Sequence, residues 1–71
     1  MIVNFSLNMG QRVRVLDDSA SRKTKAGDLG IVFRAVVEMS GNVYYEVAVQ
    51  EAEGSEFTHD ETFAPEELEA A

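Results

Sequence analysis

His59 is the only histidine of the chain, and it stands among carboxylates in the run Glu56-Phe57-Thr58-His59-Asp60-Glu61. An imidazole in that company invites two chemistries. A hydrolytic relay needs a nucleophile held against the ring and a third group orienting it. The chain has no cysteine, and its serines lie in polar loop sequence without the glycine setting of a nucleophile elbow. Zinc would need further nitrogen or sulfur ligands, and calcium a spaced set of oxygens. Neither pattern is present, so the sequence nominates no catalytic, cofactor-binding or metal-ligating residue, and the chain is expected not to be an enzyme. His59 is expected to be an exposed residue of an acidic turn.

Charge is the stronger signal. The net charge of −7 is distributed unevenly: residues 1–35 carry all six basic side chains and three acids, whereas residues 36–71 carry ten acids and no arginine or lysine. Arg22, Lys23 and Lys25, with Arg12 and Arg14, could touch phosphates, but the acidic half would repel a nucleic-acid backbone. Direct nucleic-acid binding is therefore not expected, and internal pairing with the acidic half is the simpler role for these cations. Glu46, Glu51, Glu53, Glu56, Glu66, Glu67 and Glu69 are the candidate partner-binding residues. Side chains two apart on a strand share a face at about 6.6–6.8 Å, so Glu51 and Glu53 would start a row of negative charge that Glu66, Glu67 and Glu69 extend. Such a row attracts an Arg/Lys-rich protein surface and makes association salt-sensitive. Solubility alone is the competing explanation.

The elements that must position these side chains are few. Seventy-one residues allow one domain, 1–71, with residues 1–9 either an extra edge strand or a flexible arm. Without cysteine there is no disulfide or thiolate metal site to support a small core, which argues for a reducing, intracellular setting. The opening Met-Ile-Val-Asn-Phe-Ser-Leu has neither a basic leader nor a long apolar run, and a soluble, cytoplasmic protein is expected.

Gln11-Arg12-Val13-Arg14-Val15-Leu16 alternates with the period of a half-buried strand, Val13 and Val15 inward. Asp17 to Asp28 reads as a long exposed loop. Gly27 and Gly30, three apart, predict a turn needing positive φ or a close backbone approach. The Val and Phe content of Ile31 to Glu38 favours a strand, and Ser40-Gly41-Asn42 closes a hairpin. Val43 to Gln50 places Tyr45, Val47 and Val49 on one face and Glu46 and Gln50 on the other. Glu56-Phe57-Thr58 and Thr62-Phe63-Ala64 read as separate short strand pieces. Pro65-Glu66-Glu67-Leu68 is a single helical turn, proline first and acids at its positive end, with Leu68 anchored in the core. The whole predicts an all-β fold, a small SH3-like barrel of about five strands with a single helical turn near the C-terminus.

Three stretches carry a resemblance to the SH3-like barrel superfamily. Gly10 through Val15 resembles its first strand. Gly27-x-x-Gly30-x-Val32 is similar to the glycine pattern of KOW-type barrels, and Phe63-Ala64-Pro65-Glu66-Glu67-Leu68-Glu69 resembles the closing strand, one-turn helix and last strand. The acidic ending is similar to that of CarS-type antirepressors, and other barrels of this kind serve as small accessory subunits. The antirepressor resemblance implies a non-catalytic regulatory module whose acids stand in for DNA phosphates before a basic, DNA-binding partner. The accessory-subunit resemblance implies instead a structural role, packed on an enzyme through apolar surface near Phe33, Val36 and Tyr44. The chain lacks tryptophan and an aromatic-rich groove, so proline-rich ligands are not expected.

Overall fold

The computed structural model describes residues 7–16, 24–50 and 54–71. Five strands, β1 (Arg12–Val15), β2 (Leu29–Val37), β3 (Val43–Gln50), β4 (Phe57–Phe63) and β5 (Leu68–Ala70), form one antiparallel sheet in the order β4-β3-β2-β1-β5. The only helical element among the described residues is a 3-10 turn, Pro65–Glu67. The fold is all-β, with its single helical turn near the C-terminus. No helix among the described residues is long and apolar enough to cross a membrane.

The alternation read in β1 and β3 holds. Val13 and Val15 face the core, with Arg12 and Arg14 outward, and Tyr45, Val47 and Val49 are fully buried. Val32 of β2, Phe63 of β4, Leu68 of β5 and Leu7 complete one cluster. Among the described residues no helical layer covers this face, so the sheet bends around its own apolar side chains. The last strand therefore returns to β1: Leu68 pairs with Val15, Glu69 with Arg14 and Ala70 with Val13. Leu7 reaches the same core, and its N–H donates to the Tyr45 hydroxyl at 3.2 Å. Residues 7–10 turn rather than continue a strand. The remainder of the arm predicted over 1–9 lies outside the described residues.

Gly41 and Gly30 show the two ways in which a side chain would disturb the fold. Gly41, at φ 95°, sits in the turn joining β2 to β3, where its N–H donates to the Glu38 carbonyl at 2.9 Å and the Glu38 N–H donates to Asn42 at 2.8 Å. This is a three-residue hairpin loop with glycine in the left-handed position, as the sequence predicts. Gly30 is the close approach: a Cβ built there would lie 2.3 Å from Val47 Cγ1 and 2.9 Å from the Ala48 carbonyl oxygen. Gly30 pairs with Val13 of β1 and Val49 of β3.

Three expectations need correction. Glu56-Phe57-Thr58 and Thr62-Phe63-Ala64 are not separate pieces: Phe57 to Phe63 is one strand, and His59 lies in its middle. Asp60 and Glu61 are poor strand formers, but β3 offers a complete ladder, pairing Val47 with Glu61, Ala48 with Asp60 and Val49 with His59. Tertiary pairing outweighs local preference here. The loop predicted over Asp17 to Asp28 is not exposed throughout, since Thr24 is fully buried; residues 17–23 lie outside the described residues. Gln50 is buried as well, because the register shifts between Val49 and Gln50, and its amide donates to the Ser55 carbonyl at 2.8 Å.

Replacing Gly30 with alanine forces a methyl into β3 and is expected to cost about 1–3 kcal/mol, the usual penalty of overpacking. Urea unfolding of Gly30→Ala checks this as a lower midpoint with an unchanged slope.

Candidate functional site

The alternation of β4 separates its polar residues into two groups. His59 and Glu61 share the core-facing side with Phe63, whereas Asp60 and Thr62 face outward opposite Ala48 and Glu46. The inward pair meets Thr24, at the entry to the turn before β2. Thr24 Oγ1 lies 2.8 Å from His59 Nε2, the Thr24 N–H donates to Glu61 Oε1 at 3.2 Å, and Glu61 Oε1 is 3.2 Å from His59 Nε2. On the other side of the ring, Thr58 Oγ1 is 2.8 Å from Nδ1 and donates to the Val49 carbonyl at 3.3 Å. With its proton so used, the Thr58 oxygen accepts from Nδ1–H. At Nε2 the ring meets both the Thr24 hydroxyl and the Glu61 carboxylate.

His59 is therefore neither exposed nor in a turn, which corrects the sequence expectation; its side chain is 21% exposed. A nucleophile relay places the hydroxyl and the orienting carboxylate on opposite ring nitrogens. Here Thr24 and Glu61 approach the same nitrogen, and the hydroxyl is buried. This geometry ties the residue entering β2 to the edge strand β4, two parts that the ladder does not pair.

The carboxylates nominated as a partner-binding row do not form one row. Glu46 lies opposite Arg34, with Nη1 and Oε2 3.6 Å apart, and Glu69 lies opposite Arg14, with Nη1 and Oε1 3.4 Å apart. Antiparallel registry sets each arginine against an acid of the neighbouring strand. Glu67 accepts the Ala64 N–H at 2.8 Å and so caps the 3-10 turn. Glu56 and Glu66 are exposed, and Glu51 and Glu53 lie outside the described residues. Of the basic set, Lys25 is exposed; Arg22 and Lys23 lie outside the described residues.

A groove of about 450 Å³ lies where the β2–β3 hairpin faces the 3-10 turn, lined by Gly41, Asn42, Val43, Tyr44, Ala64, Pro65 and Glu66. Tyr44 is its one aromatic lining residue, and Glu38 adjoins the groove by accepting from Asn42 Nδ2 at 3.4 Å. A hydrogen bond from Tyr44 to Glu38 comes first among the causes that raise the phenol's pKa above its usual 10.0, followed by the Glu38 charge, burial and the Glu66 charge. Among the described residues neither glutamate has an ion pair. Sequence reading missed Glu38 as a site residue because it is distant along the chain from the acidic C-terminal half's main cluster. The hairpin brings it beside Tyr44.

A smaller groove of about 300 Å³ lies along the same outer face, lined by Phe33, Arg34, Glu46, Asp60, Glu61 and Thr62. Phe33 is the extra residue where the β2–β3 register shifts between Val32 and Arg34, and it remains 46% exposed. Among the described residues no group of three or more histidines, aspartates and glutamates is placed to hold a metal ion. No protein-family model, curated protein or solved structure matches the chain.

Two measurements check these assignments. Thr24→Val removes the hydroxyl bonded to His59 and is expected to cost about 1–2 kcal/mol in urea unfolding, the usual loss for a buried hydrogen bond left half made. Glu38→Gln removes the charge and the accepting carboxylate that disfavour the phenolate, so the Tyr44 pKa should fall toward 10.0. Titration of the Tyr44 ring resonance by NMR reads that shift, and Glu66→Gln should move it less.

Proposed function

We propose that this chain is a non-catalytic, cytoplasmic binding module of the SH3-like kind, whose acidic surface captures a basic region of a partner protein. The observation that carries the reading is the groove at Tyr44. The outward arginines Arg14 and Arg34 have their carboxylates within the sheet, whereas Glu66 lines the groove that holds Tyr44, Glu38 adjoins it through Asn42, and neither has an ion-pair partner among the described residues. An aromatic face flanked by carboxylates suits a guanidinium or ammonium group, which gains both ring and ionic contacts. A DNA-binding protein is one natural carrier of such groups, and the resemblance to antirepressors fits that partner. The site is narrower than the whole acidic half: Glu66 lines it, Glu46 and Glu69 are paired with arginines, and Glu56 lies at the opposite end of β4.

A second reading rests on exposed apolar side chains. Phe33, Val37 and Met39 are exposed on β2 and its hairpin, and Val36 pairs with Tyr44 on the outer face. An accessory subunit packed on an enzyme would use such a surface, with little dependence on salt.

Affinity capture from the native lysate at low and high salt separates the two. Under the leading reading the partner is retained at low salt and lost at high salt, and Glu66→Lys abolishes retention. Glu66 is the informative position because Glu67→Lys would also remove the cap on Ala64. A partner held equally at both salt concentrations, and lost instead on Phe33→Asp, supports the accessory-subunit reading.

A further inference from the structure

The two grooves lie in line. Tyr44 and Glu46 are successive outward residues of β3, and Thr62 and Ala64 continue the same face along β4 and its end. The strand repeat sets successive outward side chains about 6.6–6.8 Å apart, and an extended peptide repeats its own side chains at the same interval. We propose that this outer face is a two-place site for an extended basic protein segment, taking cationic side chains at alternate residues, one over Tyr44 and one beside Glu46 and Asp60.

The first place is lined by Tyr44, Pro65 and Glu66, and Glu38 adds its charge beside the lining residue Asn42, from which it accepts at 3.4 Å. The second already holds a guanidinium. Arg34 lies in the smaller groove with Nη1 3.6 Å from Glu46 Oε2, and its side chain is 66% exposed. A long, exposed ion pair of this kind is weakly held. Arg34 therefore acts as an internal stand-in that a partner's arginine displaces. The register shift at Phe33 supplies an apolar wall to the same groove, a usual consequence of a bulge that redirects a side chain. Phosphate-bearing ligands do not fit a face bordered by Glu38, Glu46, Asp60 and Glu66, so the occupant is a protein segment.

This inference rests on the reading of the chain as a binder of basic protein, and its test separates the two. The full chain is titrated by amide NMR with two capped peptides of identical composition, Gly-Arg-Ala-Arg-Gly and Gly-Arg-Arg-Ala-Gly. The alternating peptide is expected to bind about fivefold or more tightly, with shifts at Tyr44, Glu46, Thr62 and Ala64. Arg34→Gln should raise its affinity about two- to fivefold, as expected from releasing a weak surface pair. Arg14→Gln makes the same charge change beside Glu69 at the other side of the sheet and should change affinity less than about twofold. Equal affinity for the two peptides, or equal effects of the two arginine substitutions, would overturn the two-place site while leaving the basic-partner reading intact. If neither peptide binds, the two-place site falls; if salt-sensitive capture of a partner fails as well, the underlying reading falls with it.

Discussion

Among the described residues the five-stranded sheet has no helical layer, and its apolar face must be covered by the sheet itself. That requirement organises the molecule. The inward side chains Val13, Val15, Val32, Tyr45, Val47, Val49, Phe63 and Leu68 come from every strand and meet in one cluster, which forces the sheet to bend and carries the last strand back to β1. Packing on this inner face leaves no room for a side chain at Gly30, where a Cβ would strike Val47 Cγ1 and the Ala48 carbonyl oxygen. Where the ladder does not join the edge strand to the turn before β2, Thr24, His59 and Glu61 make the connection with polar bonds. In a domain this small each such contact is a sizeable share of a narrow stability margin.

The same registry that closes the core arranges the charges. Pairing β1 with β5 sets Arg14 against Glu69, and pairing β2 with β3 sets Arg34 against Glu46. A chain that is strongly divided along its sequence, basic first and acidic after, becomes locally matched on its outer face. The hairpin and the 3-10 turn bring Glu38 and Glu66 to the groove that holds Tyr44. Exposed pairs of this kind contribute little to stability; their larger consequence is to set which carboxylates stand beside an arginine.

Much of the fold was legible because its signals are local. Alternation identified the inward residues of β1 and β3, Ser40-Gly41-Asn42 marked the hairpin, and Pro65-Glu66-Glu67 marked the 3-10 turn. Gly27 and Gly30 were read together as positive φ or close approach; Gly27 has the first property, at φ 94°, and Gly30 the second. β4 was not legible as one strand, because Asp60 and Glu61 have low strand preference and only β3 supplies the ladder that holds them. The site was less legible still. Glu46 and Glu69 look unopposed along the chain because their arginines are twelve and fifty-five residues away.

By itself the amino-acid sequence determined the all-β class, the turns, the inward faces of the alternating strands and the division of charge between the two halves. These depend on backbone preferences and on side-chain periodicity over a few residues. Only the tertiary structure decided which acids are matched by arginine, that Thr24 and His59 are joined, and that Glu38, Tyr44 and Glu66 border one groove. Coulombic and hydrogen-bonding contacts depend on separation in space, and strand pairing brings residues together without regard to their distance along the chain.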